Sequence, residues 1–267
     1  MTSAPAPASS AVFVTVEGGI ARLVLSNPQR RNAISGGMWK TLADFAAEAG
    51  GRSDIRAAVI RGEGTLAFSG GADISDFDAA RADASGAQTY DDVVEAACAA
   101  FQALPFPTLA LVHGACVGAG AALSACCDLR LAATDAFFAI PAARLGLGYD
   151  PRGVSRLVRA FGPQAARLML FTAERLPAER AFALGAVDEI AAADAVDAAA
   201  ERLLSRMAEN APLTLKAAKL AIRAAEGAGG GAFAEARRLA AAANASADYR
   251  EGRLAFAEKR APRFKGA

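Results

Sequence analysis

Two glycine-rich segments carry the first hint of chemistry, Phe68–Asp73 (FSGGAD) and His113–Gly120 (HGACVGAG), each at the end of an apolar run. Glycine lets a backbone turn sharply and come close to a ligand. At a strand end opening onto a helix it can aim unpaired N–H groups at an anion. Two such segments on one strand–helix–strand path could each supply one N–H to a single oxyanion. The alternative is that the glycines only permit tight turns and close helix packing. Gly118-Ala-Gly120 lacks the third glycine of a dinucleotide fingerprint and the acidic ribose partner that should follow. Gly114-Ala-Cys116-Val-Gly118 fits the G-x-C-x-G of a cysteine nucleophile elbow. That architecture needs a histidine late in the chain, whereas the only histidine is His113, immediately before the elbow.

Among the acids, Asp150 precedes Pro151 near a helix start, where an aspartate either caps backbone N–H groups or serves as a proton carrier. Asp73 is read as a loop brace and Glu63 as a solvated turn residue. Tyr149 could donate a proton but is read mainly as a packing residue. His113, at the end of a buried strand, is read as a hydrogen-bonded core histidine.

The elements that must hold these groups are legible from pattern. Residues 12–25 read as a β-hairpin turning at Gly18-Gly19. A polar loop with Pro28 leads to a helix over 37–49, and Ala57–Arg61 is a short buried strand. Residues 75–88 read as a mobile loop, followed by a helix over 89–104 that stops before Pro105 and Pro107. Thr108–Val112 and Asp128–Ala132 are further strands, and from Val154 the pattern is helical with one strand near 187–190. Leu109–Cys127 is apolar enough to raise a membrane span, but His113 and three glycines make it a buried strand–turn–helix. Units of two strands and a helix, then a helical section, define an α/β fold. The division is a tail over 1–11, a core over 12–195 and C-terminal helices over 196–267.

Composition narrows the function. With 29 basic and 28 acidic residues the formal charge is +1, which argues against a nucleic-acid partner. One histidine excludes a His-rich metal centre, and the four cysteines form no CxxC pair, so no metal is expected. Unpaired cysteines and a first decapeptide unlike a signal peptide lead to the expectation of a reduced, cytoplasmic setting.

The chain resembles the crotonase superfamily, the enoyl-CoA hydratases and isomerases. NPQRRNAIS (27–35) resembles the CoA-binding loop after the first hairpin, LAFSGGADI (66–74) the first oxyanion segment, and VHGACVGAGAALSACCDLRLA (112–132) the second. FFAIPAARLGLGYDPRGVSRLVRAFG (137–162) is similar to the catalytic-loop region and FAEKRAPRF (256–264) to the C-terminal helix near the CoA adenine. Order and spacing match from about residue 12 to 265. The resemblance implies the crotonase (ClpP/crotonase-like) fold of repeated ββα units, assembled through its C-terminal helices as a homo-trimer or dimer of trimers, with no membrane partner.

It further implies an acyl-CoA thioester as substrate, coenzyme A entering with it and no permanently bound cofactor. The oxyanion donors would be the N–H groups of Ala72 and Ala119, the latter where the family usually has glycine, with Gly70 and Gly118 against the ligand. Arg30, Arg31, Phe256 and Lys259 match CoA-contacting positions, the last two often reaching across a subunit boundary. In the same register the two hydratase glutamates fall at Ala122 and Ala142, and a methyl group moves no proton. Asp150 matches the proton carrier of dienoyl-CoA isomerases, so isomerisation or a lyase reaction is expected ahead of two-glutamate hydration. The alternatives are a hydratase with another acid–base group and a non-catalytic acyl-CoA-binding protein. The same aspartate is the nucleophile of 4-chlorobenzoyl-CoA dehalogenases, whose partner tryptophan would fall at Ala142, which argues against dehalogenation.

Overall fold

Alternating apolar residues on either side of Gly18-Gly19 form the hairpin β1 (Ala11–Glu17) and β2 (Ile20–Ser26), paired antiparallel from Ala11↔Ser26 to Glu17↔Ile20. The computed structural model describes residues 10–73, 84–227 and 230–267. The expected tail thus lies outside the described residues up to residue 9, and most of the expected loop over 75–88 does too. Helix α1 (Gly36–Ala49) starts at Ser35, whose side chain accepts from Met38 N, and it buries Met38, Trp39, Leu42 and Phe45.

The next elements repeat one pattern, a longer strand, a short strand, then a helix. β3 (Ala57–Gly62), β4 (Ala67–Ser69) and α2 (Ala84–Gln102) form one unit. β5 (Thr108–Val112), β6 (Ala115–Val117) and α3 (Ala119–Ser124) form the next. β7 (Leu129–Ala133), β8 (Phe137–Ala139) and α4 (Pro151–Thr172) form the third. The longer strands build a six-stranded sheet closed by β10 (Glu189–Ala191), in the order β1-β2-β3-β5-β7-β10, parallel from β2 onward. The short strands build a second sheet, β4-β6-β8-β9, with β9 at Leu176–Pro177. Continuous apolar runs such as Thr108–Val112, buried at every position, suit a parallel strand covered on both faces.

Helix α2 begins at Ala84, five residues before the expected start, because the small residues ahead of Thr89 include good helix formers. Its end at Gln102 precedes the proposed Leu104. α4 is broken at Gly162, φ 77°, just before Pro163. Leu109–Cys127 resolves into β5, β6 and α3, and no described helix is long and apolar enough to cross a membrane.

α5 (Ala178–Ala183) leads to β10. α6 (Val196–Glu209) then lays Val196, Ala199, Ala200 and Leu204 into the main core, against β3, β5 and β7. α7 (Pro212–Ala225), α8 (Ala232–Ala245) and α9 (Ala247–Glu258) complete the C-terminal helices, with α7 and α8 packed on one another.

Candidate functional site

The strand-to-strand steps deliver the two glycine-rich segments to one place. β4 ends at Ser69 and β6 at Val117, two strands paired parallel in the small sheet, so residues 70–72 and 118–119 emerge side by side. Their contact is backbone on backbone. A Cβ on Gly71 would stand 3.4 Å from the Val117 carbonyl oxygen, and one on Gly118 would stand 3.8 Å from Gly71 Cα. Gly118 also needs φ 53°, so it is the position in this turn where only glycine is free of strain.

The hydrogen bonds show which N–H groups are left over. Ile34 N donates to Gly71 O at 2.8 Å and Asp73 N donates to Ile34 O at 2.9 Å, which turns the intervening Ala72 N–H away from that pairing. Gly71 N is taken by Ser69 Oγ and Gly118 N by Ala139 O. Ala119, first residue of α3, has no helical acceptor behind it. Neither Ala72 N nor Ala119 N donates to any described residue. Both residues line one pocket of about 280 Å³. Two unpaired peptide donors on one wall are the donor set that a developing oxyanion requires.

The rest of the pocket comes from α2 and from residues 140–150. Val94, Ile140, Leu145 and Leu147 give it apolar walls, and Ala122 and Ala142, each 6% exposed, place methyl groups there. Asp150 and Tyr149 are at the same pocket. Asp150 caps α4: its Oδ1 accepts from Arg152 N at 2.7 Å, and its carboxylate also takes Arg152 Nη2 at 2.7 Å. Those bonds hold the Asp150 carboxyl below its ordinary range. Capping and pocket lining therefore coexist in one residue. Burial raises the Tyr149 hydroxyl, so it stays protonated, and it makes no hydrogen bond to another described residue.

Sequence reasoning missed three groups. Glu95, 8% exposed, lines the pocket while paired to the buried Arg156 through Nη2–Oε2 at 2.5 Å and Nη1–Oε1 at 3.2 Å. Only its helical spacing from Tyr90, Asp91 and Val94, which share the pocket, could have revealed it. Asn27 and Asn32 staple the 27–35 loop to the first glycine segment. Asn27 Nδ2 donates to Asp73 Oδ2 at 3.0 Å, and Asn32 Nδ2 donates to Ala67 O at 2.9 Å. Asp73 is a brace as expected, 7% exposed and also bonded by Arg30.

Arg30 and Arg31 lie beside the site. Gly70 N donates to Arg31 O at 2.7 Å, and the exposed Arg31 side chain forms no ion pair among the described residues. Phe256 and Lys259 line no part of this pocket. Phe256, on α9, is 88% exposed, and Lys259 is the left-handed C-cap of the same helix.

His113 is buried as expected, but neither ring nitrogen makes a hydrogen bond. Nε2 faces Asp197 Oδ2 of α6 at 3.3 Å. It lines no part of the pocket. Glu63, though exposed, accepts from Ser26 Oγ. Cys116 is buried and its thiol is pushed up to about 12 by burial, the opposite of a nucleophile's needs.

A family model described as "Enoyl-CoA hydratase/isomerase" matches residues 15–267. A Mycobacterium tuberculosis protein named "Probable enoyl-CoA hydratase echA6" is 37% identical over 96% of this chain and 100% of the relative. The 2,3-dehydroadipyl-CoA hydratase of Escherichia coli is 33% identical over 96% and 99%. The crystal structure of an enoyl-CoA hydratase/carnithine racemase from Magnetospirillum magneticum superposes with a TM-score of 0.90, at 32% identity and 97% coverage of both chains. With its repeated strand–strand–helix units in the crotonase arrangement, the chain belongs to the enoyl-CoA hydratase/isomerase family.

Proposed function

We propose that this protein binds an acyl-CoA thioester, holds its carbonyl oxygen between the N–H groups of Ala72 and Ala119, and catalyses an isomerisation or lyase reaction through the enolate. The observation that carries the reading is that these two unpaired donors share one apolar pocket with Asp150. In an isomerisation the Asp150 carboxylate removes a proton from a carbon in conjugation with the thioester. The electron pair moves into the carbonyl, the two N–H groups receive the negative oxygen, and the proton returns at another carbon of the conjugated system. Asp150 suits this better than Glu95 because its partner Arg152 has an exposed side chain that can swing into solvent, whereas Arg156 is buried and locked.

Alanine at 122 and 142 supports a reaction other than two-glutamate hydration, although the relatives above carry hydratase names. Arg30 and Arg31 are assigned to the CoA phosphates, and Phe256 and Lys259 to the adenine end of CoA in a neighbouring subunit. The exposed Phe256 ring supports a homo-trimer or dimer of trimers. Free, buried cysteines suit a reducing cytoplasm.

The test is the absorbance of the conjugated thioester of crotonyl-CoA in the presence of purified protein, run beside a 3,5-dienoyl-CoA. A rise in the longer-wavelength absorbance of the 2,4-dienoyl thioester as the 3,5-diene band falls, with crotonyl-CoA unchanged, is expected. Rapid hydration of crotonyl-CoA would overturn the preference. A second reading, binding without turnover, is favoured by the two alanine methyls at the pocket wall. Tight acyl-CoA binding with no deuterium exchange beside the carbonyl would select it.

A further inference from the structure

We infer that Glu95 sets the class of acyl group: the pocket accepts neutral acyl chains, above all those carrying a hydroxyl or similar hydrogen-bond donor, and rejects chains that end in a carboxylate. The inference rests on the acyl-CoA reading and deepens it. Glu95 follows Asp91 by one helical turn on α2, so both carboxylates face the same pocket. Its carboxylate is held in place there. Arg156 is 4% exposed, donates twice to Glu95, and is itself held by Gln102 Oε1 at 3.2 Å.

Glu95 lines the pocket and Arg156 does not. Among the described lining residues there is no lysine, arginine or histidine. Each Glu95 oxygen takes one Arg156 bond and keeps capacity for another. A hydroxyl on the acyl group can fill that capacity. A second carboxylate would lose its water against a fixed like charge.

Gly153 maintains this surface. A Cβ there would stand 2.9 Å from Tyr149 Cε1 and 3.5 Å from Glu95 Oε1, so the tyrosine ring edge and the carboxylate meet over that bare backbone. The Tyr149 hydroxyl adds a neutral polar group to the same pocket.

The experiment is calorimetric titration of the purified protein with butyryl-, hexanoyl- and octanoyl-CoA and their ω-hydroxy and ω-carboxy counterparts, with free CoA as reference. At the chain length that reaches Glu95, the ω-hydroxy ligand should bind at least as tightly as the unsubstituted one. The ω-carboxy ligand should bind on the order of a hundredfold more weakly. The double variant Glu95→Gln, Arg156→Met removes both charges together and should cut the discrimination between the carboxy and unsubstituted ligands by about tenfold, Asp91 and Asp150 keeping their place at the pocket. Equal or tighter binding of the carboxy ligands by the unaltered protein would overturn the inference, and so would undiminished discrimination in the double variant. The unaltered protein's ligand series decides the question by itself if the variant does not fold. Failure of every acyl-CoA to bind would instead refute the acyl-CoA reading.

Discussion

Replacing Ala119 by proline removes one proposed oxyanion donor with little else disturbed. Ala119 is the first residue of α3, a position where proline's fixed φ is compatible with the helix and its missing N–H costs nothing. That N–H has no described acceptor to lose. The neighbouring bonds, Gly118 N to Ala139 O at 2.8 Å and Ala122 N to Gly118 O at 3.0 Å, do not involve it. Gly118, at ψ −114°, is outside the α region that a following proline forbids. Stability should therefore change by less than about 1 kcal/mol. One donor in a water-poor site is worth about 3 kcal/mol of barrier, a loss of about 10² to 10³-fold in rate. The assay is deuterium incorporation from heavy water at the carbon beside the thioester carbonyl, read by mass spectrometry, with Tm measured in parallel. Ala119→Gly, which keeps the N–H, should exchange at close to the original rate. Proline exchange within about threefold of the unaltered protein, at unchanged Tm, would show that this N–H contributes none of the roughly 3 kcal/mol expected of it.

Four further outcomes are expected. Asp150→Asn should keep the α4 cap, since asparagine caps as well as aspartate, while turnover falls about 10² to 10⁴-fold; a variant of full activity would remove Asp150 from the mechanism. Because the folded Asp150 lies below its usual 3.8, its contribution to stability is present above that value and fades only as pH falls through the lower folded value. The rate should therefore show no Asp150 inflexion over roughly pH 5 to 8, and a base-limb midpoint near neutrality would point to another group. Gly62→Ala would bring a Cβ to 2.1 Å from Ala67 O and 2.5 Å from Phe68 O, at the step from β3 to β4. It should cost more than about 3 kcal/mol in urea unfolding, and a loss under about 1 kcal/mol would contradict that packing. Native protein at mildly alkaline pH should resist iodoacetamide at Cys116, whose thiol is pushed up to about 12 by burial. Fast alkylation there would restore the cysteine-nucleophile reading.

The large sheet was legible because its strands carry their own signal. The Gly18-Gly19 hairpin and the apolar runs at 57–61 and 108–112 fall where pattern put them. The second sheet was not, since β4, β6 and β8 are three residues each, too short for any periodicity to register. Yet those short strands bring the two glycine segments together, so the site's position came from resemblance and not from pattern. Ala72 and Ala119 illustrate the difficulty: what distinguishes them is an unpaired peptide group, and alanine as a residue type carries no sign of it. Glu95 was invisible for another reason. On α2 it reads like any helical acid, and only the fold sets Arg156, sixty-one positions later, against it. Asp150 was read both ways, as cap and as proton carrier, and its Arg152 N bond establishes the cap without deciding the chemistry.

The glycine-on-glycine contact between residues 71 and 118 has an evolutionary corollary. The spacing of the two donors is set by main chain alone, so apart from proline no exchange of side chain at 72 or 119 erases a donor outright. The proposed carbonyl-binding half of the site is thus insulated from drift, while the groups around it can be swapped one codon at a time. Positions 122 and 142 can hold alanine without moving either peptide, and a lineage can discard one proton-transfer route and recruit another on an unchanged platform.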